Sequence, residues 1–245
     1  KQRWLPLALA AMCRNPGAES KGGAGMGLHG SKRILCFGDS NTWGYIPGSG
    51  GRYPADIRWP GVLQSILGED YCIIEDGLNG RTSVFTDPFY RYRNGLEALG
   101  PALLANDPLD MVILALGTND LQFTDARGAA RGGRALIYAV ESIAEQIAAG
   151  RFWPVDGQQK TPRKPEILLL SPIVVHEKVK EMDPWSTLMN GADESKTFAH
   201  WYRQVAENHH VHFLNSAAYA TPSEIDGIHM MPESHRALAE AVAGG

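Results

Sequence analysis

The sequence is poor in cysteine, in runs of basic residues and in long apolar segments. Its three cysteines are Cys13, Cys36 and Cys72, and the odd count, with the last two in apolar runs, indicates buried free thiols and not a disulfide framework. No CxxC or CxxH spacing indicates a structural zinc site. A net charge of −4 and the lack of a Lys/Arg run argue against binding to nucleic acid or to an anionic membrane. The one early apolar run is interrupted by Pro6, whereas a membrane span needs ~20 apolar residues. We therefore expect neither nucleic acid nor membrane among the partners.

Residues 1–31 differ in composition from the rest of the chain. They have a basic start, a short apolar run and a Gly-rich stretch typical of linkers. This N-terminal extension could be an added or upstream segment before a natural start at Met26, a leader, a linker or a structural arm. We expect one folded domain over residues 32–245 in a cytoplasmic protein, with a secreted or periplasmic location open if the extension is a leader.

Short apolar runs alternate with helix-like stretches from Lys32 onward. Continuous apolar runs of this length indicate strands that are covered on both faces, and strands joined by crossover helices form a parallel sheet. The sequence therefore predicts an α/β fold with a doubly wound, five-stranded parallel sheet. The predicted strands are 33–37, 71–76, 110–116, 166–171 and 211–214, and the predicted helices are 57–68, 94–105, 130–149, 192–208 and 233–243.

Polar segments follow four of the predicted strands. They are 38–41 (GDSN), 76–83 (DGLNGRTS), 117–120 (GTND) and 226–229 (DGIH). In open α/β sheets, ligands bind beyond the carboxyl ends of the strands. We therefore expect a hydroxyl, a Gly-rich turn, an amide and a carboxylate–imidazole pair to meet at one edge of the sheet.

These residue types suit nucleophilic catalysis by Ser40. A serine hydroxyl needs a base to take its proton, usually a histidine that is oriented by a carboxylate. Asp226 and His229 are three residues apart, so one turn can present both side chains. The sequence predicts Ser40 as the nucleophile, His229 as the base and Asp226 as the carboxylate that orients it.

Acyl transfer also needs donors for the negative charge that develops on the carbonyl oxygen. The backbone N–H of Ser40, the N–H of Gly80 and the side-chain amide of Asn119 are the predicted oxyanion hole. Each part has a simpler explanation when taken alone, as a Gly-Asp-Ser turn, a helix cap at Asn119 or a capped start of the last helix. Their occurrence in order after successive strands favours the catalytic interpretation.

The four segments resemble the conserved blocks of the SGNH hydrolases, also called GDSL-type esterases. RILCFGDSNTWGY, DGLNGRTS, ALGTND and DGIHMMPESHRALAEAV are similar to the arylesterase/acyltransferase branch, which includes perhydrolases. The resemblance covers roughly residues 32–242. It implies a flavodoxin-like three-layer sandwich, the site roles given above, and activity without a metal or organic cofactor. The α/β-hydrolase fold is disfavoured because the chain has no GxSxG elbow.

The resemblance implies a small ester as substrate, with water, an alcohol or peroxide as the acyl acceptor. We expect Trp43, Tyr45, Ile228 and Trp185 to line a small apolar pocket, and Trp59 to lie in the core. A carbohydrate O-acetyl esterase is the main alternative; a lysophospholipase, a thioesterase or a non-catalytic binding module is less favoured. Relatives often form closed oligomers, so a homo-oligomer is expected.

Three further features leave alternatives open. The cluster His209, His210 and His212 could bind a metal, but an exposed helix end is the favoured interpretation. Arg81 could brace the oxyanion loops by bonding Asp76 or Asp120, or it could lie in solvent. His176 and Trp185 belong to a stretch that could form a lid over the substrate.

Overall fold

A computed structural model describes residues 31–152, 164–181, 188 and 190–244. Within these residues one sheet contains five parallel strands in the order β2-β1-β3-β4-β5. This is a flavodoxin-like strand order, and the chain reverses its winding direction at β1 and β3. The strands are β1 (Lys32–Gly38), β2 (Tyr71–Gly77), β3 (Met111–Ala115), β4 (Glu166–Ser171) and β5 (His212–Asn215).

Helices connect the strands and cover both faces of the sheet. The α-helices are α1 (Ser40–Trp43), α2 (Trp59–Leu67), α3 (Gly95–Asn106), α4 (Ala126–Ala148), α5 (Gly191–Glu194), α6 (Phe198–His209) and α7 (Pro232–Ala243). Short 3-10 helices span Arg91–Arg93, Asn119–Gln122, Glu177–Glu181, Ser195–Thr197 and Ser216–Ala218.

Successive side chains along the strands point to opposite faces of the sheet and pack into two separate apolar cores. On one face, β1 and β3 residues such as Leu35 and Val112 pack with α3, α4 and α6. On the other face, Ile34 and Ile113 pack with α2 and α7. Trp59 belongs to this second core and is 1% exposed, as the sequence predicted. The two layers of helices hold the sheet rigidly, so the loops at its carboxyl edge have a fixed base.

The predicted α/β sandwich with a five-stranded parallel sheet is confirmed. Most element limits differ from the prediction by one or two residues. Helix α4 begins earlier, at Ala126, because the Asp125 side chain caps it by accepting a bond from Gly128 N at 2.7 Å. The single helix predicted over 192–208 is divided, since a 3-10 turn at Ser195–Thr197 separates α5 from α6. The Oγ atom of Ser195 holds this turn by accepting a bond from Val175 N at 2.9 Å.

The limits of the N-terminal extension and of the folded domain stay a prediction. Strand β1 begins at Lys32, where the folded domain was expected to begin, and residues 1–30 lie outside the described residues. Cys36 and Cys72 are free thiols, the first buried and the second half-buried. No helix in the described part of the chain is both long enough and apolar enough to cross a membrane.

Candidate active site

Ser40 lies in the first turn after β1, at the carboxyl edge of the sheet. The Asp39 side chain caps α1 by accepting a bond from Asn41 N at 2.9 Å. The end of β2 presses against this turn, because a Cβ atom added to Gly77 would lie 2.2 Å from Trp43 N. Ser40 is only 5% exposed. The strand, the cap and the neighbouring strand therefore fix the serine hydroxyl in place.

A chain of hydrogen bonds links Ser40 to His229 and Asp226. His229 Nε2 lies 2.9 Å from Ser40 Oγ, and His229 Nδ1 lies 2.7 Å from Asp226 Oδ2. The other carboxylate oxygen, Asp226 Oδ1, accepts bonds from the backbone N–H groups of Ile228 and His229, both at 3.0 Å. The three predicted side chains thus meet, with each imidazole nitrogen facing the partner that proton transfer from serine requires.

Asp226 is held in its ionised form. Burial raises the pKa of this carboxyl, but hydrogen bonds from the His229 ring and from the backbone amides of His229 and Ile228 outweigh that effect. The net result is a pKa below the ordinary value. A carboxylate that stays charged can fix the imidazole tautomer and stabilise an imidazolium ion beside it.

Gly80 and Asn119 belong to two loops that are bonded to each other. Gly80 has a φ of +76°, a left-handed conformation that favours glycine. Asn119 Nδ2 donates to the carbonyl oxygen of Arg81 at 3.1 Å, next to Gly80. A side-chain amide carries two N–H groups, so this bond leaves a second donor on Asn119. The oxyanion-hole roles of Gly80 and Asn119 stay a prediction.

Arg81 ties together the ends of β1 and β2. Its guanidinium donates to the carbonyl oxygens of Gly38 at 3.1 Å and Asp76 at 2.7 Å, and to Asp76 Oδ1 at 2.8 Å. It also lies 4.1 Å from the centre of the Phe37 ring. The residue is 5% exposed, so of the alternatives left open by the sequence, the structure has Arg81 bonded to Asp76.

Two buried carboxyl groups lie behind these loops. Burial raises the pKa of Asp39 to about 6, although the hydrogen bond from the Asn41 amide and the charges of His229 and Arg81 oppose the rise. Burial likewise raises the pKa of Asp120 to about 6. Asp120 accepts hydrogen bonds from both the backbone N–H and the hydroxyl of Ser83. No local pattern in the sequence indicates this bond, because the two residues are 37 positions apart.

The predicted pocket residues differ in their surroundings. Tyr45 stacks on the His229 ring, with the ring centroids 4.1 Å apart and the planes inclined by 30°. The Trp43 ring is half-buried and carries the Arg52 guanidinium 5.1 Å above it. Ile228 is 9% exposed and packs with an apolar core. Trp185 lies outside the described residues. The lining of a substrate pocket by these residues stays a prediction.

The clustered histidines have separate contacts. His209 lies edge-on to Tyr138 at 4.8 Å, His210 ends α6 in a left-handed conformation, and His212 Nε2 lies 3.3 Å from Glu166. No group of three or more His, Cys, Asp or Glu side chains in the described ranges is arranged to hold a metal ion. His176 donates its backbone N–H to Gly227 O at 2.8 Å, beside the Asp226–His229 loop. Whether its segment forms a lid stays a prediction.

Comparison with known proteins assigns this arrangement to a family. The profile of the GDSL-like Lipase/Acylhydrolase family matches residues 36–237. The chain belongs to this family. The match includes Ser40, Gly80, Asn119, Asp226 and His229, so the resemblance seen in the sequence is confirmed at the level of the family. A search of curated protein sequences finds no match to the chain.

Solved structures of two kinds of esterase resemble this GDSL family member equally well. One is the aryl esterase of M. smegmatis, 33% identical, with a TM-score of 0.76. The other is Est24, a carbohydrate acetylesterase from Sinorhizobium meliloti, also 33% identical with a TM-score of 0.76. Each comparison covers 87% of this chain and 97% of the other. The similarity therefore supports an esterase without choosing between aryl and sugar esters.

Proposed function

We propose that the chain is a serine esterase that cleaves short-chain acyl or aryl esters through an acyl-enzyme. One observation carries the proposal: the continuous hydrogen-bond chain from Ser40 Oγ through His229 to Asp226, at 2.9 and 2.7 Å. A serine placed so can lose its proton as it attacks a carbonyl carbon. Membership of the GDSL family and similarity to two kinds of esterase support the same chemistry.

In the acylation step, Ser40 Oγ forms a bond to the ester carbonyl carbon while His229 Nε2 takes the hydroxyl proton. Asp226 stays ionised and balances the positive charge on the imidazole ring. The carbonyl oxygen becomes negative and is stabilised by the N–H groups of Ser40 and Gly80 and by the free amide N–H of Asn119. When the tetrahedral intermediate collapses, His229 gives its proton to the departing alcohol and the acyl-enzyme remains.

Deacylation repeats these steps with a new nucleophile. Water loses a proton to His229 and attacks the acyl-enzyme, which releases the acid and restores Ser40. An alcohol or hydrogen peroxide in place of water would give a new ester or a peracid. The aromatic rings of Tyr45 and Trp43 beside the site favour an apolar acceptor, so we include acyltransfer in the proposal as a second activity of the same residues.

A carbohydrate O-acetyl esterase is the second candidate. It is favoured by the similarity to Est24, which equals the similarity to the aryl esterase. The triad would act in the same way on a sugar acetate. The two candidates differ in the alcohol part of the ester, which the aromatic neighbours of Ser40 would accept more readily as an aryl or simple alkyl group. A long-chain lipid or thioester substrate is less favoured because the small pocket predicted around Trp43, Tyr45 and Ile228 would hold only a short acyl group.

The test compares p-nitrophenyl esters from acetyl to dodecanoyl with an acetylated xylo-oligosaccharide, using wild type and Ser40→Ala. We expect the highest kcat/KM with acetyl and butyryl esters and no turnover by the variant. Release of acetate from the oligosaccharide at a higher kcat/KM than from p-nitrophenyl acetate would select the second candidate. Turnover by a folded Ser40→Ala protein near the wild-type rate would reject both.

We also propose that the protein acts as a homo-oligomer. The loop between β2 and α3 carries Phe89 and Tyr92, which are 85% and 64% exposed. Large exposed aromatic side chains are typical of surfaces that pack against a partner. Size-exclusion chromatography with light scattering tests this proposal, and a monomer at micromolar concentration would contradict it.

A further inference from the structure

The backbone around His229 uses nearly all of its polar groups to hold the imidazole in place. The N–H groups of Ile228 and His229 donate to Asp226 Oδ1, and the carbonyl of His229 accepts from Ser223 N at 2.8 Å. Two other groups of this segment are the carbonyl of Ile228 and the N–H of Met230. They flank His229, and their partners decide where the base lies relative to the nucleophile.

Both of these groups bond to one side chain, that of Asn41. Asn41 Nδ2 donates to Ile228 O at 3.2 Å, and Asn41 Oδ1 accepts from Met230 N at 2.9 Å. Asn41 follows Ser40 directly in the chain and belongs to the same short helix, α1. The amide therefore joins the backbone of the nucleophile to the backbone on both sides of the base.

The geometry points to Asn41 as a positioning residue that sets the Ser40–His229 distance; this inference rests on the proposed function. Asn41 lies next to the reacting serine but acts through the backbone of the 228–230 segment. Proton transfer from Ser40 Oγ to His229 Nε2 depends steeply on their separation, and a displacement of about 1 Å can lower a rate by about 100-fold. Without the amide, the backbone of this segment still bonds to Asp226 and Ser223, which are near neighbours in the chain, but it loses both of its hydrogen bonds to α1.

The role requires one donor and one acceptor on the same short side chain. Alanine offers neither, and aspartate can still accept from Met230 N but would set a carboxylate oxygen against the carbonyl oxygen of Ile228. Asn106→Ala is a matched control. This variant also loses a hydrogen bond from a side-chain amide to a backbone carbonyl, from Asn106 Nδ2 to Ala102 O at 2.9 Å. Asn106 ends α3, which leads into the amino end of β3.

The experiment compares wild type, Asn41→Ala, Asn41→Asp and Asn106→Ala with p-nitrophenyl acetate, at a temperature where circular dichroism shows every variant folded. We expect both Asn41 variants to lose about 10- to 100-fold in kcat with KM within about twofold. Their rate of covalent labelling by a fluorophosphonate, which needs an activated serine but no deacylation, should fall by a similar factor. Asn106→Ala should keep both wild-type rates.

Several results would overturn the inference. A lower Tm with unchanged kcat and labelling rate would make Asn41 a structural residue only. A change confined to KM would place it in contact with substrate, and a normal labelling rate with low kcat would place its effect after acylation. Failure of the proposed function is distinguishable, because it would appear as turnover by Ser40→Ala or as absent labelling in wild type.

Discussion

Replacing Arg81 with methionine tests the bracing of the candidate oxyanion loops. Methionine fills a similar volume but removes three hydrogen bonds, two to the carbonyl oxygens of Gly38 and Asp76 and one to Asp76 Oδ1. The two carbonyl groups lie at the joined ends of β1 and β2, where methionine offers them no donor. Hydrogen bonds to charged groups contribute about 1.5–3 kcal/mol each, and breaking a buried ion pair costs about 3–5 kcal/mol.

The expected loss of unfolding free energy is at the lower end of the range for a buried ion pair. The Asp76 side chain is 29% exposed, so water can solvate its carboxylate once Arg81 is gone. We expect Arg81→Met to lower the free energy of unfolding by about 3 kcal/mol, and Tm by about 6–12 °C for a chain of this size. Because Asn119 donates to the carbonyl of Arg81, a looser loop should also lower kcat more than it raises KM.

The assay is thermal and urea unfolding followed by circular dichroism, with steady-state kinetics on the same samples. Lys164→Met is the control: Lys164 also pairs with a carboxylate at 2.8 Å, that of Glu141, but its side chain is 53% exposed. Exposed pairs contribute about 0–1 kcal/mol, so this variant should unfold close to wild type. A decrease in Tm for Arg81→Met no larger than that for Lys164→Met would contradict a bracing role for Arg81.

Three further predictions concern pH, ring stacking and metals. Burial raises the pKa of Asp39 to about 6, so the stabilisation that protonated Asp39 provides is present below the unfolded value of 3.8 and is lost as pH rises through 6. The free energy of unfolding of Asp39→Asn, measured with urea, should therefore rise by about 2 kcal/mol relative to that of wild type between pH 4 and pH 8. A difference between the two proteins that does not change with pH would contradict this. Tyr45→Leu should lower kcat about 2- to 10-fold because it loses the ring that stacks on His229, whereas Tyr45→Phe retains the ring and should keep the wild-type kcat. Equal kcat values in the two variants would exclude a contribution of the stack to catalysis. Activity should survive dialysis against EDTA, and loss of activity that zinc restores would revive a metal site at the clustered histidines.

The strand pattern and the sheet-edge rule were sufficient to predict the meeting of Ser40, Asp226 and His229. Ser40 comes just after the first apolar run, the Asp226–His229 pair lies in the loop after the last one, and the carboxyl ends of parallel strands share one edge. The Asp226–His229 pair is local in sequence, so its spacing alone indicated the bond. The fold followed from the same runs, since continuous apolar segments separated by helices leave few other topologies.

Other features depend on packing between distant segments, which a single sequence does not encode locally. Asn41 reaches residues 187 and 189 positions away, and no spacing rule links them. The stacking of Tyr45 on His229 is equally distant, so an aromatic residue near the serine was taken only for a pocket wall. Arg81 bonds to Asp76, whereas Asp120 accepts from the amide and hydroxyl of Ser83, and the sequence spacing does not distinguish these two pairings.

The central claim is that Ser40 is the nucleophile, and covalent trapping tests it most directly. Wild type and Ser40→Ala are treated with a p-nitrophenyl phosphonate, digested, and analysed by tandem mass spectrometry. We expect one phosphonyl group on Ser40, stoichiometric with lost esterase activity, and no adduct in the variant. An adduct on another residue, or full activity in an enzyme that carries the Ser40 adduct, would contradict it.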